Sequence, residues 1–160
     1  MRMMKAFKSG WIALIAVSLC LPLLAEVKVV LTASKIVSVN GTEQRQPGDK
    51  AKPGEVIEYV AEYHNSAKSP VSNMVATLPV PTGMEYLPDT AAPAQVMAST
   101  DERNYAPVPL KRMVRAADGK MVEEQVPYAE YRSLRWKLGE LPGETSRNVK
   151  ARMKVRATEK

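Results

Sequence analysis

By residue type, the strongest candidate for catalysis is His64, the single histidine of the 160-residue chain. A Ser-His-Asp or Cys-His site would have to use this imidazole as its general base. Ser66 and Ser69 follow it closely, but neither lies in the G-x-S-x-G motif that exposes a nucleophilic serine. A lone histidine without that motif is typical of a surface or strand-end position. The sequence therefore predicts no nucleophilic active site.

Metal and acid–base chemistry lack their usual residues as well. Zinc needs three or four nitrogen or sulfur ligands, and one histidine with one cysteine cannot supply them. No calcium-loop pattern or glycine-rich phosphate loop is present. The acid pairs Asp101-Glu102 and Glu123-Glu124 join neighbours, whose side chains point to opposite faces of a strand. Unless folding brings two distant carboxylates together, we expect no glycosidase-type dyad, no metal, no cofactor and no enzymatic activity.

Basic residues alternate with apolar residues in two segments, 131–139 and 145–157, and this pattern suggests a binding surface. Alternate residues of a strand share one face. If the two strands pair, their cations form one face that attracts an anionic partner, such as lipid head groups, an acidic polysaccharide or an acidic protein. The residues of this possible anionic-partner face are Arg135, Lys137, Lys150, Arg152, Lys154 and Arg156.

The same cations have two alternative explanations that involve no partner. Glu58 and Glu62, on a neighbouring strand, would pair with them across the sheet, and each such pair contributes about 0.2–1 kcal/mol. Lysines on an edge strand also prevent edge-to-edge aggregation.

The first 25 residues have the layout of a secretory signal peptide. Arg2, Lys5 and Lys8 precede an uncharged apolar run at 10–24, and Ala25 is a small residue at the cleavage position. This run is shorter than the roughly 20 residues of a membrane-spanning helix. We therefore expect a signal-peptide helix over residues 1–25 and an exported protein of the periplasm or cell surface, with no integral membrane segment once the signal is removed.

Two other roles of this segment stay open. Leu23 is larger than the ideal residue of an A-x-A-type cleavage site, which would suit a retained anchor. Cys20 would suit a lipoprotein, although Leu19 before it is large. Cleavage after Ala25 would remove the only cysteine, so the remaining domain would have no disulfide. Without Arg2, Lys5 and Lys8 the net charge would be about +3, which gives no indication of a nucleic-acid partner.

Residues 26–160 read as one all-β domain. Prolines are spread through them, and short apolar runs alternate with turn residues every 8–12 positions, a spacing typical of a sandwich or barrel. In the clearest run, 55–64, Ile57, Tyr59, Ala61 and Tyr63 share one face. We predict an antiparallel β-sandwich of about seven to nine strands. Its core is expected to include Ile57, Tyr59, Ala61, Leu78, Leu134, Trp136, Leu138, Val149, Met153 and Val155.

Turn signals separate the predicted strands. Asn40-Gly41 and Asp118-Gly119 favour hairpin turns because both residues of each pair tolerate positive φ. The remaining strands are expected at 27–33, 35–39, 72–80, 84–87, 94–99, 110–115, 120–126, 131–139 and 145–157, and 47–54 is expected to be a polar loop.

An ordered set of short motifs resembles a known group. The motifs are Pro53-Gly54-Glu55, the alternating run that ends at Asn65, Leu78-Pro79, Pro81-Thr82-Gly83 before Tyr86, Ser99-x-Asp101, Tyr131, Arg135-Trp136 and Leu141-Pro142-Gly143. Over residues 27–157 this order is similar to the bacterial conserved-repeat family called domain of unknown function eleven. The resemblance implies an Ig-like sandwich in an exported or cell-surface protein, and it implies no catalytic residue.

Taken together, these features favour a non-catalytic module that binds or supports another envelope or surface component. The alternative is a periplasmic accessory or carrier protein that holds an anionic ligand or surface on its basic sheet face.

Overall fold

The computed structural model describes residues 27–48 and 50–157. The predicted signal peptide, 1–25, lies outside these residues. The described part forms eleven strands and a 3-10 turn at Tyr128–Glu130. The strands are β1 Val27–Val39, β2 Thr42–Pro47, β3 Val56–Asn65, β4 Val71–Pro79, β5 Met84–Tyr86, β6 Met97–Ser99, β7 Ala106–Pro107, β8 Lys111–Arg115, β9 Met121–Gln125, β10 Ser133–Leu141 and β11 Ser146–Val155.

The strands form two facing sheets and a separate hairpin. The first sheet has the order β2-β1-β3-β11-β5, the second has the order β4-β10-β6-β7, and β8 pairs with β9. Neighbouring strands are antiparallel throughout. The predicted all-β antiparallel sandwich is therefore confirmed.

The local turn signals are confirmed too. Asn40 and Gly41 have φ of 52° and 77° and join β1 to β2. Asp118-Gly119 lies between β8 and β9. The two runs predicted at 27–33 and 35–39 are one continuous strand, β1, and β2 is a strand that the sequence analysis did not predict. Its residues are all exposed, so no apolar alternation marked it.

The core lies between the two sheets and follows the predicted alternation. Of the predicted core residues, Ile57, Ala61, Leu78, Leu134, Trp136, Val149 and Met153 are buried, whereas Tyr59, Leu138 and Val155 are half-buried. The sequence analysis did not place Tyr86, Tyr131 and Leu141 in the core, but all three are buried.

Two of these tyrosines pack with a third at one end of the core. The ring of Tyr86 stacks on that of Tyr131 with centroids 6.0 Å apart, and Tyr128 meets both rings edge-on. The backbone N–H of Leu110 donates to the hydroxyl of Tyr131 at 2.8 Å. Burial, reinforced by the charge of Asp89, raises the pKa of Tyr86 to about 12. The Tyr86 hydroxyl therefore stays uncharged at neutral pH, and its ring contributes to packing.

The opposite end is held by the buried side chain of Asn65, the last residue of β3. Its Nδ2 donates to the carbonyl oxygens of Ser69, Leu141 and Pro142 at 2.9, 3.2 and 3.2 Å. Its Oδ1 accepts the backbone N–H of Ala67 at 3.1 Å. The side chain of Asn65 therefore caps the turn that follows β3, and it also joins β3 to the β10–β11 turn.

Close packing at that turn explains Gly143. A Cβ on this residue would lie 2.0 Å from the carbonyl oxygen of Lys68, closer than two such atoms can approach. The Pro142-Gly143 motif therefore fits a place where two loops touch backbone to backbone.

We expect Asn65→Asp to lower the free energy of unfolding by about 3 kcal/mol or more, because it replaces a buried donor with an anion facing three carbonyl oxygens. Asn40→Asp, at an exposed position of the β1–β2 turn, is the matched control and should change stability by less than about 0.5 kcal/mol, because Asp-Gly also favours this turn. Urea unfolding of both variants measures the difference. Equal, small effects would contradict the role assigned to Asn65.

Candidate interaction surfaces

The outer face of the first sheet carries a network of ion pairs centred on Glu58. This side chain lies on β3 opposite Arg152 of β11 and is almost completely buried. Arg152 Nε lies 3.2 Å from Glu58 Oε2, and Arg45 of β2 lies 2.7 Å from Oε1. The guanidinium of Arg152 also donates two hydrogen bonds of 2.8 Å to Glu43. The network ties β2, β3 and β11 together.

The pKa of Glu58 reflects both its burial and its partners. Burial raises the pKa, but the hydrogen bonds from Arg45 and Arg152 outweigh burial and hold the pKa below its usual value. The carboxylate is thus ionised at neutral pH, as a buried acid with two cationic donors should be. The hypothesis that Glu58 pairs with the basic row across the sheet is confirmed for Arg152. Glu62 instead lies opposite Asn148.

Lys150 and Lys154 also project from β11 on the outer face of the first sheet. Lys154 lies 3.8 Å from Glu85 of β5, and the positive charge of Lys150 contributes to the lowered pKa of Glu58. Arg156 follows the end of β11 and is exposed. Acidic side chains of neighbouring strands thus neutralise part of the positive charge that β11 carries on this face.

Arg135 and Lys137 lie elsewhere. They belong to β10, which pairs with β4 and β6 in the second sheet, whereas β11 pairs with β3 and β5 in the first. The condition for a shared basic face, that these strands pair, is therefore not met. The six predicted cations divide into Arg135 and Lys137 on one sheet and Lys150, Arg152, Lys154 and Arg156 with the other.

The guanidinium of Arg135 stacks on an aromatic ring. Its central carbon lies 3.4 Å from the ring centroid of Tyr105, a cation–π contact. Lys137, two residues along β10, is exposed. Neither cation has an ion-pair partner in the part of the chain that the structure describes.

The loop that carries Tyr105 is organised by Asp101. Its Oδ1 accepts hydrogen bonds from the backbone N–H groups of Arg103 and Asn104 at 2.9 and 2.8 Å and from the hydroxyl of Ser99 at 2.8 Å. These bonds hold the pKa of Asp101 well below its usual range. The Ser99-x-Asp101 motif therefore shapes a loop.

An open groove of about 430 Å³ runs beside β10, next to Lys137. It exists because β6 pairs with β10 only up to Arg135, so Trp136 and Leu138 have no β6 residue opposite them. The indole Nε1 of Trp136 donates to the carbonyl oxygen of Pro93 at 2.7 Å and fixes the other wall. The groove is mainly apolar, with the Lys137 ammonium at its rim.

His64 is hydrogen-bonded at the end of β3. Its Nδ1 lies 3.0 Å from the hydroxyl of Ser146, which is opposite it on β11. Ser146 was not among the serines considered from the sequence. Its contact with His64 depends on the pairing of two strands, and the two residues are 82 positions apart in the chain. Nothing in the local motifs could have indicated it.

Of the two acid pairs, only Glu123-Glu124 lies on a strand, whereas Asp101-Glu102 lies in the loop between β6 and β7. Glu123 and Glu124 of β9 form ion pairs with Lys111 and Arg112 of β8, at 2.6 and 3.0 Å. Among residues 27–48 and 50–157, no three metal-ligating side chains come together. Within those same ranges, no helix is long and apolar enough to cross a membrane.

Comparison with known proteins gives no match to a family model, a curated protein or a solved structure. The resemblance to the conserved-repeat family therefore stays a hypothesis carried by the motifs alone.

Acid should weaken the network around Glu58. Because the folded-state pKa of Glu58 is lowered, its stabilisation is complete above the unfolded-state pKa of about 4.3 and is lost as the pH falls through the folded-state value. We expect Glu58→Gln to cost about 1–3 kcal/mol at pH 7 and much less at pH 3. Chemical unfolding at both pH values measures this loss.

Glu62→Gln is the matched control, since Glu62 is an exposed acid on the same face of β3. It should change stability by less than about 0.5 kcal/mol at either pH. A pH-independent loss in Glu58→Gln would contradict the electrostatic explanation.

Proposed function

We propose that this protein is a non-catalytic, exported β-sandwich module, a structural or binding component of the cell envelope or the secreted fraction. Residues 1–25 would direct export and be removed after Ala25, leaving residues 26–160 as the working domain. Its partner would be another envelope or surface protein.

The observation that carries this proposal is that several polar side chains hydrogen-bond to other parts of the same domain. Glu58 and Arg152 join strands, Asp101 shapes a loop and Asn65 holds the β10–β11 turn. Each acts within the fold, as expected of a module whose side chains support its architecture.

The alternative role, as an accessory protein that holds an anionic ligand, is supported by a narrower set of residues than the sequence suggested. Arg152 is occupied by Glu43 and Glu58. Arg135 and Lys137 lack an ion-pair partner in the described ranges. Lys137 also lines the groove beside Trp136. The positive charge available to attract an acidic group of a partner would therefore be that of Lys137, on the second sheet.

Export predicts a defined new N-terminus. In cells that express the full chain, the protein recovered from the envelope or medium should begin at Glu26, because Ala25 fits the small-residue site of signal peptidase. Intact-mass measurement checks this result. Ala25→Trp should block processing and leave the 25-residue extension in place.

The same cells allow the partner to be sought. Chemical cross-linking in the envelope fraction, followed by mass spectrometry, should recover a complex with another envelope protein. An unprocessed chain confined to the cytoplasm would refute the proposal.

Anion binding through the second sheet predicts a position-specific effect of charge. Retention on heparin or on vesicles containing anionic lipid should fall in Lys137→Glu and should weaken as salt is raised. Lys68→Glu, at an exposed loop position, makes the same change of net charge and is the control. Equal loss in both variants would indicate an effect of net charge alone and would refute a site at Lys137.

A further inference from the structure

One stretch of β10 has no pairing partner on its β6 side, although β10 is an interior strand of the second sheet. On the β4 side, Thr77 lies opposite Arg135, yet the N–H and C=O groups of Thr77 point away from β10 to the hydroxyl of Tyr63. Arg135 therefore directs its own main-chain groups towards β6, and so does Lys137 two residues further along. Because β6 ends opposite Arg135 at Met97, no strand of the described part pairs with Lys137 there.

The groove beside β10 occupies the place that a longer β6 would take. Just before β6 the chain is held on the first sheet, where Ala92 exchanges two hydrogen bonds of 2.8 Å with Lys150 of β11. The chain reaches the second sheet only at β6, so the space alongside Lys137 stays open as the groove of about 430 Å³. Its apolar walls include the half-buried side chains of Val108 and Leu138.

The charge at this groove is positive. Among the described residues that line it, Lys137 alone is charged. On the outer face of the sheet, Val75 lies opposite Lys137 and Arg135 lies two residues along β10. No carboxylate of the described ranges forms an ion pair with either cation. The groove therefore combines unpaired main chain, apolar walls and an unopposed positive charge.

We propose that this groove binds an extended acidic segment of another protein, which adds to β10 as a short strand beyond the end of β6. In such strand addition, main-chain hydrogen bonds give affinity and alternate side chains give specificity. The residue opposite Lys137 projects outward beside the ammonium group and is aspartate or glutamate. Its two neighbours project inward, towards Trp136 and Leu138, and are apolar. The ligand class is thus an extended apolar–acidic–apolar sequence.

This inference rests on the proposed role as a binding module, and it names the kind of segment that a partner presents. It is measured on purified protein with defined peptides. It can therefore fail while export and an envelope partner are both found, and it can succeed whether or not residues 1–25 are removed.

The first test titrates isotope-labelled protein, purified from cells that express the full chain, with the blocked peptide acetyl-Ser-Val-Glu-Val-Ser-amide. In NMR spectra the main-chain amide signal of Lys137 should shift and its exchange with solvent should slow, because its N–H gains an acceptor. The same peptide with lysine in place of glutamate is the control. It should bind about tenfold more weakly, because it places like charges opposite each other.

The second test exchanges the charges. Lys137→Glu should reverse the preference, so that the lysine peptide binds more tightly than the glutamate peptide. Lys68→Glu, at an exposed loop position, makes the same change of net charge and should keep the preference for glutamate. A reversal in the first variant alone identifies Lys137 as the residue that faces the acidic side chain.

The third test examines the main-chain pairing. Methylation of the glutamate nitrogen in the peptide removes the N–H that would donate to the carbonyl oxygen of Lys137, and it should weaken binding at least about fivefold. The nitrogen of the following valine would point away from β10. Its methylation should therefore change the affinity by less than about twofold.

Three results would overturn the proposal. The Lys137 amide signal could stay unchanged at millimolar peptide, the glutamate and lysine peptides could bind equally well, or the two methylations could have equal effects. Retention on heparin or anionic vesicles that depends on Lys137, without binding of the peptide, would assign the site to a glycan or lipid and equally refute a protein segment.

Discussion

The packing of the inner faces of the two sheets against each other is the constraint on which the rest of this structure depends. Trp136 of β10 lies opposite Ala76 of β4, and Leu134 lies between Leu78 of β4 and Ala98 of β6. Large side chains placed beside small ones fill the space between two sheets without voids. Burial of one such side chain contributes about 1.5–3 kcal/mol, so this layer holds a domain that has no disulfide in its described part.

The same packing also provides hydrogen-bond partners for backbone groups on an edge strand. β4 is an edge strand of the second sheet, and the hydroxyl of Tyr63 on β3 accepts the N–H of Thr77 at 2.9 Å and donates to its carbonyl at 3.0 Å. A side chain from one sheet thus satisfies the edge of the other. On β1, β2 pairs only with residues 34–39, and among the described residues no strand lies against the same side of residues 27–33.

The basic residues of the two sheets lie in different surroundings. On the first sheet, cations of β2 and β11 converge on buried Glu58 and join three strands through ion pairs. On the second sheet, Arg135 rests on an aromatic ring and Lys137 borders an apolar groove. The basic residues that looked alike in the sequence therefore have different environments, because Arg152 meets carboxylates and Lys137 meets solvent.

Local patterns in the sequence determined most of the strands, the hairpin turns and most of the core, because strand alternation and turn chemistry depend on residues close together in the chain. Asn40-Gly41 marked a turn and Ile57, Ala61 and Trp136 marked inward faces without reference to any distant residue. The cap that Asn65 forms on its own turn is equally local, since the N–H of Ala67 is only two residues away.

Only the tertiary structure decided which strands become neighbours. β10 and β11 follow each other, yet the Pro142-Gly143 turn passes from one sheet to the other, where Asn65 caps Leu141 and Pro142 from 76 and 77 residues away. The contact between His64 and Ser146, the burial of Glu58 and the division of the six cations all follow from that crossing. Such pairings depend on the fit of whole faces brought together from distant parts of the chain, and alternation within one strand carries no information about its partner.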